Sequence, residues 1–172
     1  MQTTDLKIKK LSETMPGELV RLSALGRAPR FCIVMEQKRE NAILACLEPI
    51  AGVVDRPFHF FPSNNLNAVS FGSDWFLDIE LDHEFYPGSQ SMRWGSGALK
   101  LQGTEWVLSI HQMPTAYQLS ELFFNLSSNE ITEMPAVSTS APISQWRIWK
   151  DREAATLPDG KPLVTVQAVE VN

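Results

Sequence analysis

Residues 73–86 read S-D-W-F-L-D-I-E-L-D-H-E-F-Y, and their alternation decides the fold class. Trp75, Leu77, Ile79, Leu81 and Phe85 fall on one parity; Asp78, Glu80, Asp82 and Glu84 fall on the other. Successive side chains of a strand point to opposite faces, so a period of two marks a strand with one buried and one wet side. A helix would scatter the same residues around its circumference.

Downstream, Pro87-Gly88-Ser89-Gln90 turns the chain, and Met92, Arg93 and Trp94 lead back. That pairing sets Arg93 against the acidic face and adds Met92 and Trp94 to the apolar one. Gly95-Ser96-Gly97 then changes the parity, as a bulge or bend does. A turn at Gln102-Gly103 predicts a hairpin that pairs Leu99 with Trp106 and Lys100 with Glu105. Beyond Met113-Pro114, Thr115 and Gln118 have the spacing of a capping box. Leu119, Leu122, Phe123 and Leu126 follow at helical spacing, which predicts an amphipathic helix over 115–126. Residues 127–144 are rich in Ser, Thr, Pro and Glu and read as a long loop or linker. Residues 145–172 carry Trp146, Ile148 and Trp149, a turn at P-D-G-K-P, and a weakly alternating end, which predicts a β-hairpin. A hairpin of this size does not fold alone, so it must dock on the main domain or on a second subunit.

Upstream, residues 18–25 read as a strand between Pro16-Gly17 and Gly26. Residues 31–36 and 41–47 flank the polar turn Q-K-R-E and are almost continuously apolar, which suits strands covered on both sides. Cys32 and Cys46 lie in these two runs. One register brings them opposite each other, where a disulfide is conceivable. A slip of one residue removes the pairing, so two reduced, buried thiols are the preferred reading. Residues 49–62 hold R-P-F-H-F-F-P, whose prolines rule out a central strand. Phe58, Phe60 and Phe61 then either lid the core or anchor a partner. The run Lys7–Lys10, with Ile8 inside it, reads as a solvated first strand or arm.

The fold class that follows is mainly β: an antiparallel barrel or sandwich with one short amphipathic helix and a C-terminal hairpin. Residues 1–126 form the main domain, 127–144 the linker and 145–172 the docked hairpin. With 172 residues and 20% charged residues, the chain is long and apolar enough for a substantial core. A net charge of -5 argues against binding nucleic acid or an anionic membrane. No apolar leader and no membrane span are visible, so the expected compartment is the cytoplasm.

The acidic row is the one dense constellation. Alternate side chains on a strand stand about 6.8 Å apart. Two carboxylates at ~7 Å in water repel by only about 0.6 kcal/mol, so a solvated face needs no ligand. The chemical alternative is a divalent cation or a sugar held by Asp78, Glu80 and Asp82, since hard cations take oxygen ligands. His59, His111 and His83 are far apart in sequence, and neither a nucleophile elbow nor a phosphate loop occurs. The functional expectation is a non-enzymatic interaction or assembly module whose partner is itself or another protein, with Phe58, Phe60, Phe61, Trp146 and Trp149 as contacts and no cofactor. The competing expectation is a ligand-binding or hydrolytic protein that works through the acidic face.

Overall fold

The two apolar runs become the centre of a six-stranded antiparallel sheet. The structure, a computed structural model, describes residues 7–23, 28–79, 95–113, 120–133 and 142–168. In chain order the strands are β1 (Lys7–Lys10), β2 (Leu19–Ser23), β3 (Pro29–Gln37), β4 (Ala42–Cys46), β5 (Phe58–Phe60), β6 (Asn67–Ser70) and β7 (Phe76–Ile79). They continue as β8 (Leu99–Gln102), β9 (Glu105–His111), β10 (Glu121–Asn125), β11 (Glu130–Thr132), β12 (Gln145–Trp149) and β13 (Val164–Gln167). One helix, α1 (Arg152–Thr156), joins the last two. The sheets run β1-β6-β2-β3-β4-β5, β11-β10-β9-β8 and β13-β12-β7.

Alternation along β3 explains the layering. Phe31, Ile33 and Met35 face one core, shared with Leu99, Leu108, Phe124, Trp146 and Ile148 from the two smaller sheets. Cys32 and Val34 face a second core with Leu44, Cys46, Phe58, Phe60 and Ala68 from the same sheet, closed by Leu11, Ile50 and Val54. The central sheet is thus buried on both sides, as its continuous apolar runs imply. The packing is sandwich-like, and the described strands close no barrel. No helix among the described residues is long and apolar enough to cross a membrane.

Four local readings need correction. Residues 121–125 are strand, not helix: β10 pairs with β9 and β11. Leu122, Phe124 and Leu126 alternate toward the first core, and this period of two competes with the helical spacing in the same stretch. The open edge of β9 decides between them, because its backbone groups need partners. Among the described residues the α-helix is α1 instead, started by Asp151, whose side chain accepts from the Ala154 N–H at 2.7 Å.

The β8–β9 hairpin has the expected faces but a different register. Leu99 pairs with Leu108 and Gln102 with Glu105, because the turn falls on Gly103 and Thr104. Gly103 there adopts φ 62, which favours glycine. Phe58–Phe60 is an edge strand rather than a lid loop, and β11 lies inside the stretch read as linker. The return strand at Met92 to Trp94 falls outside the described residues.

Candidate functional site

Asp78 lies on β7 opposite Arg147 of β12. Its Oδ2 accepts a bond from the Trp149 indole Nε1–H at 3.2 Å. Arg152 of α1 stacks 5.3 Å from the Phe76 ring centroid on the same strand. The C-terminal segment therefore brings a donor and a cation to the start of the acidic row. Glu80 and Asp82 fall outside the described residues. Among the described residues no group of three His, Cys, Asp or Glu side chains is arranged to hold a metal ion.

Of the five aromatics named as partner contacts, four are spent on the chain's own core. Phe58, Phe60, Trp146 and Trp149 are buried, while Phe61 is exposed and meets the His59 ring edge-on, with centroids 5.6 Å apart.

The structure assembles a polar cluster that spacing alone conceals. His59 on β5 is fully buried. Its Nε2 lies 3.2 Å from the Ser120 carbonyl, so Nε2 carries the proton and Nδ1 is the bare nitrogen. That Nδ1 is buried without a partner. Across the β9–β10 pair, His111 Nε2 lies 3.3 Å from Glu121 Oε1, and Ser109 Oγ donates to the same oxygen at 2.6 Å. The carboxylate is the hub here. In a hydrolytic triad an imidazole would accept the serine proton and be oriented through its other nitrogen. Ser120 Oγ does reach within 3.5 Å of His59 Nε2, but that nitrogen already donates and Nδ1 has no orienting partner. The cluster has the members of a catalytic site in a structural arrangement.

It also gives the fold a pH dependence. Burial holds the His59 imidazole below its ordinary value; the Ser120 carbonyl bond opposes this and the nearby His111 adds to it. Burial would raise Glu121, but the bonds from His111 and Ser109 outweigh it and the carboxyl sits below its usual range. A lowered His59 stays neutral in the fold while the unfolded chain takes up a proton. Its stabilisation is therefore present above the unfolded imidazole value of about 6.5 and is lost as pH falls from there toward the lower folded value. Glu121 adds a loss only below the ordinary carboxyl range. We expect the melting temperature to fall between pH 7 and pH 5, and His59→Gln to flatten that fall. Equal slopes in both proteins would remove His59 as its source.

A separate exposed feature is the edge strand β1, which carries Ile8, the most exposed of the large hydrophobic residues among the described residues. Lys9 Nζ bonds both oxygens of the buried Glu18 carboxylate at 3.1 Å, and Ser70 Oγ donates to Glu18 at 2.7 Å. This clamp holds β1 against β6. Lys7, Ile8 and Lys10 are exposed, Ile8 at 78%. Beside Ile8, β6 leaves β2 after only two paired positions, Val20 with Ser70 and Arg21 with Val69. The splay opens a groove of about 390 Å³ lined by Ile8, Leu22, Pro29, Val69 and Arg21, among others. Arg21 is held at its rim over the Phe31 ring, 5.3 Å from the centroid. The sequence reads Lys7–Lys10 as a solvated first strand or arm, and it is a strand; the signal for its apolar contact was an isoleucine alone among lysines.

No family model, no curated protein and no solved structure matches this chain.

Proposed function

We propose that the protein is a non-enzymatic interaction module that self-associates through the β1 edge. The observation that carries the reading is Ile8: a large apolar side chain exposed on an edge strand, beside an open apolar groove. Alternate backbone groups of an edge strand face outward and can pair with another chain. Strand addition of this kind draws affinity from main-chain bonds and selectivity from side-chain pockets.

The lysines select the partner. A symmetric β1–β1 pairing would set lysine against lysine, which is unfavourable directly across a strand pair. The edge suits a partner surface of opposite charge instead, and with 20 acidic against 15 basic residues a second copy of the chain carries net negative charge. Asp78 is already engaged by Trp149 within the chain, so no observation favours the cation or sugar reading over this one.

Light scattering across a concentration series tests it. The wild-type protein should reach dimer mass as concentration rises, and added salt should weaken the association because exposed charges are screened. Ile8→Glu should stay monomeric with an unchanged melting temperature, since the side chain contributes little to its own fold. A wild-type protein that stays monomeric throughout, or an Ile8→Glu protein that still dimerises, contradicts the proposal.

A further inference from the structure

We propose that Cys32 and Cys46 are a modification site, a dithiol that closes to an intramolecular disulfide by exchange with a small-molecule disulfide. The two residues are direct partners across β3 and β4. The flanking bond from Leu47 N–H to the Phe31 carbonyl, at 2.9 Å, marks their pair as the non-hydrogen-bonded kind. At such pairs the Cα atoms approach to about 4.5 Å, inside the ~4.4–6.8 Å range that a disulfide spans. Both side chains are fully buried in the second core, and both thiols are free. The Cys32 thiol donates to the Arg30 carbonyl at 3.9 Å and the Cys46 thiol to the Glu48 carbonyl at 3.3 Å, weak bonds that a turn of either side chain gives up. Closing the bond therefore needs no change of register, and both sulfurs already share one face of the sheet.

The same burial controls when the bond forms. Burial pushes the Cys32 thiol well up, and the adjacent Cys46 and Glu48 push it further. The thiolate is the nucleophile, so the closed fold is inert. Cys46 is the last residue of β4, between Cys32 and Phe58, so its exposure requires local opening of that strand end.

In the opened form the Cys46 thiolate attacks one sulfur of the small disulfide and expels a thiolate, leaving a mixed disulfide. The Cys32 thiolate then attacks the Cys46 sulfur and expels the second thiolate. Two protein thiols are oxidised, one external disulfide is reduced to two thiols, and the two protons pass to the departing thiolates. The product ties two interior strands of the sheet, β3 and β4, across a loop of roughly 15 residues and restricts the unfolded chain.

The test incubates the folded wild-type protein with oxidised glutathione, then alkylates the remaining thiols and measures intact and peptide masses. The expected product is a species short of two hydrogens, unalkylated, with one cross-link between the Cys32 and Cys46 peptides. Its melting temperature should exceed that of the reduced protein by roughly 6–12 °C, and a dithiol reductant should reverse both changes. Three results would overturn the proposal: two alkylatable thiols after oxidation of the folded protein, a glutathione adduct that does not resolve, or a cross-link between chains.

Discussion

Trp146→Ala is expected to lower the unfolding free energy by about 3–5 kcal/mol, the range for removing a large aromatic from a packed core. Trp146 is fully buried in the middle strand of the β13-β12-β7 sheet and packs into the first core. Its indole Nε1–H donates to the Gly97 carbonyl at 2.8 Å. That carbonyl belongs to a closely packed glycine whose N–H is bonded to the Ser109 carbonyl at 2.8 Å. Gly97 holds φ 93, and a Cβ there would lie 2.6 Å from Pro57 Cγ. The substitution therefore leaves both a cavity and an unpaired carbonyl, and the second adds about 1–3 kcal/mol if water cannot reach it. Urea unfolding of Trp146→Ala and Trp146→Phe separates the two, because phenylalanine keeps most of the volume and loses only the bond. A loss below about 1 kcal/mol for the alanine variant would mean that Trp146 is not packed as described.

Ending the chain after Glu133 should abolish cooperative folding. The removed residues include Ile143, Trp146, Ile148, Trp149, Val164 and Val166, all buried. At ~1.5–3 kcal/mol each, their burial contributes about 9–18 kcal/mol as an upper estimate. A domain has only about 5–15 kcal/mol of net stability to lose. The truncation also uncovers two sheet edges: β7, which pairs four residues with β12, and β8, where Leu99 and Ile143 exchange hydrogen bonds of 3.0 and 2.7 Å. Uncovered edges and apolar surface favour aggregation. Expression of residues 1–133 should give insoluble protein or a broad, non-cooperative melt. A soluble product with a sharp transition near that of the full chain would show the C-terminal segment to be dispensable.

What the sequence disclosed depended on whether one local rule acted alone. The strands at 31–36 and 41–47 were legible because apolar runs of strand length on either side of a short polar turn suit a hairpin covered on both faces, although a helix over 41–47 competes for the same residues. The parity of Trp75, Leu77 and Ile79 was legible from its period of two, and all three pack against the first core. At residues 121–125 two periods compete, and the choice fell to the neighbouring strand β9, which no local pattern encodes; the start of the expected helix, 115–119, lies outside the described residues. The partner of the acidic strand was hidden in the same way. Arg147 stands opposite Asp78 although 69 positions separate them in the chain. The cluster of His59, His111 and Glu121 needs three strands to converge, so histidine spacing could not reveal it. Ile8 was visible throughout, but only the splay of β2 from β6 turns it from one apolar residue into the wall of a groove.

Hydrogen exchange measured at dilute and at concentrated protein tests the central claim most directly. The account predicts that amides of β1, residues 7–10, exchange more slowly as the protein is concentrated, while those of the sheet edges β11 and β13 do not change. Concentration-independent exchange in β1, or slowing confined to β11 or β13, would contradict it.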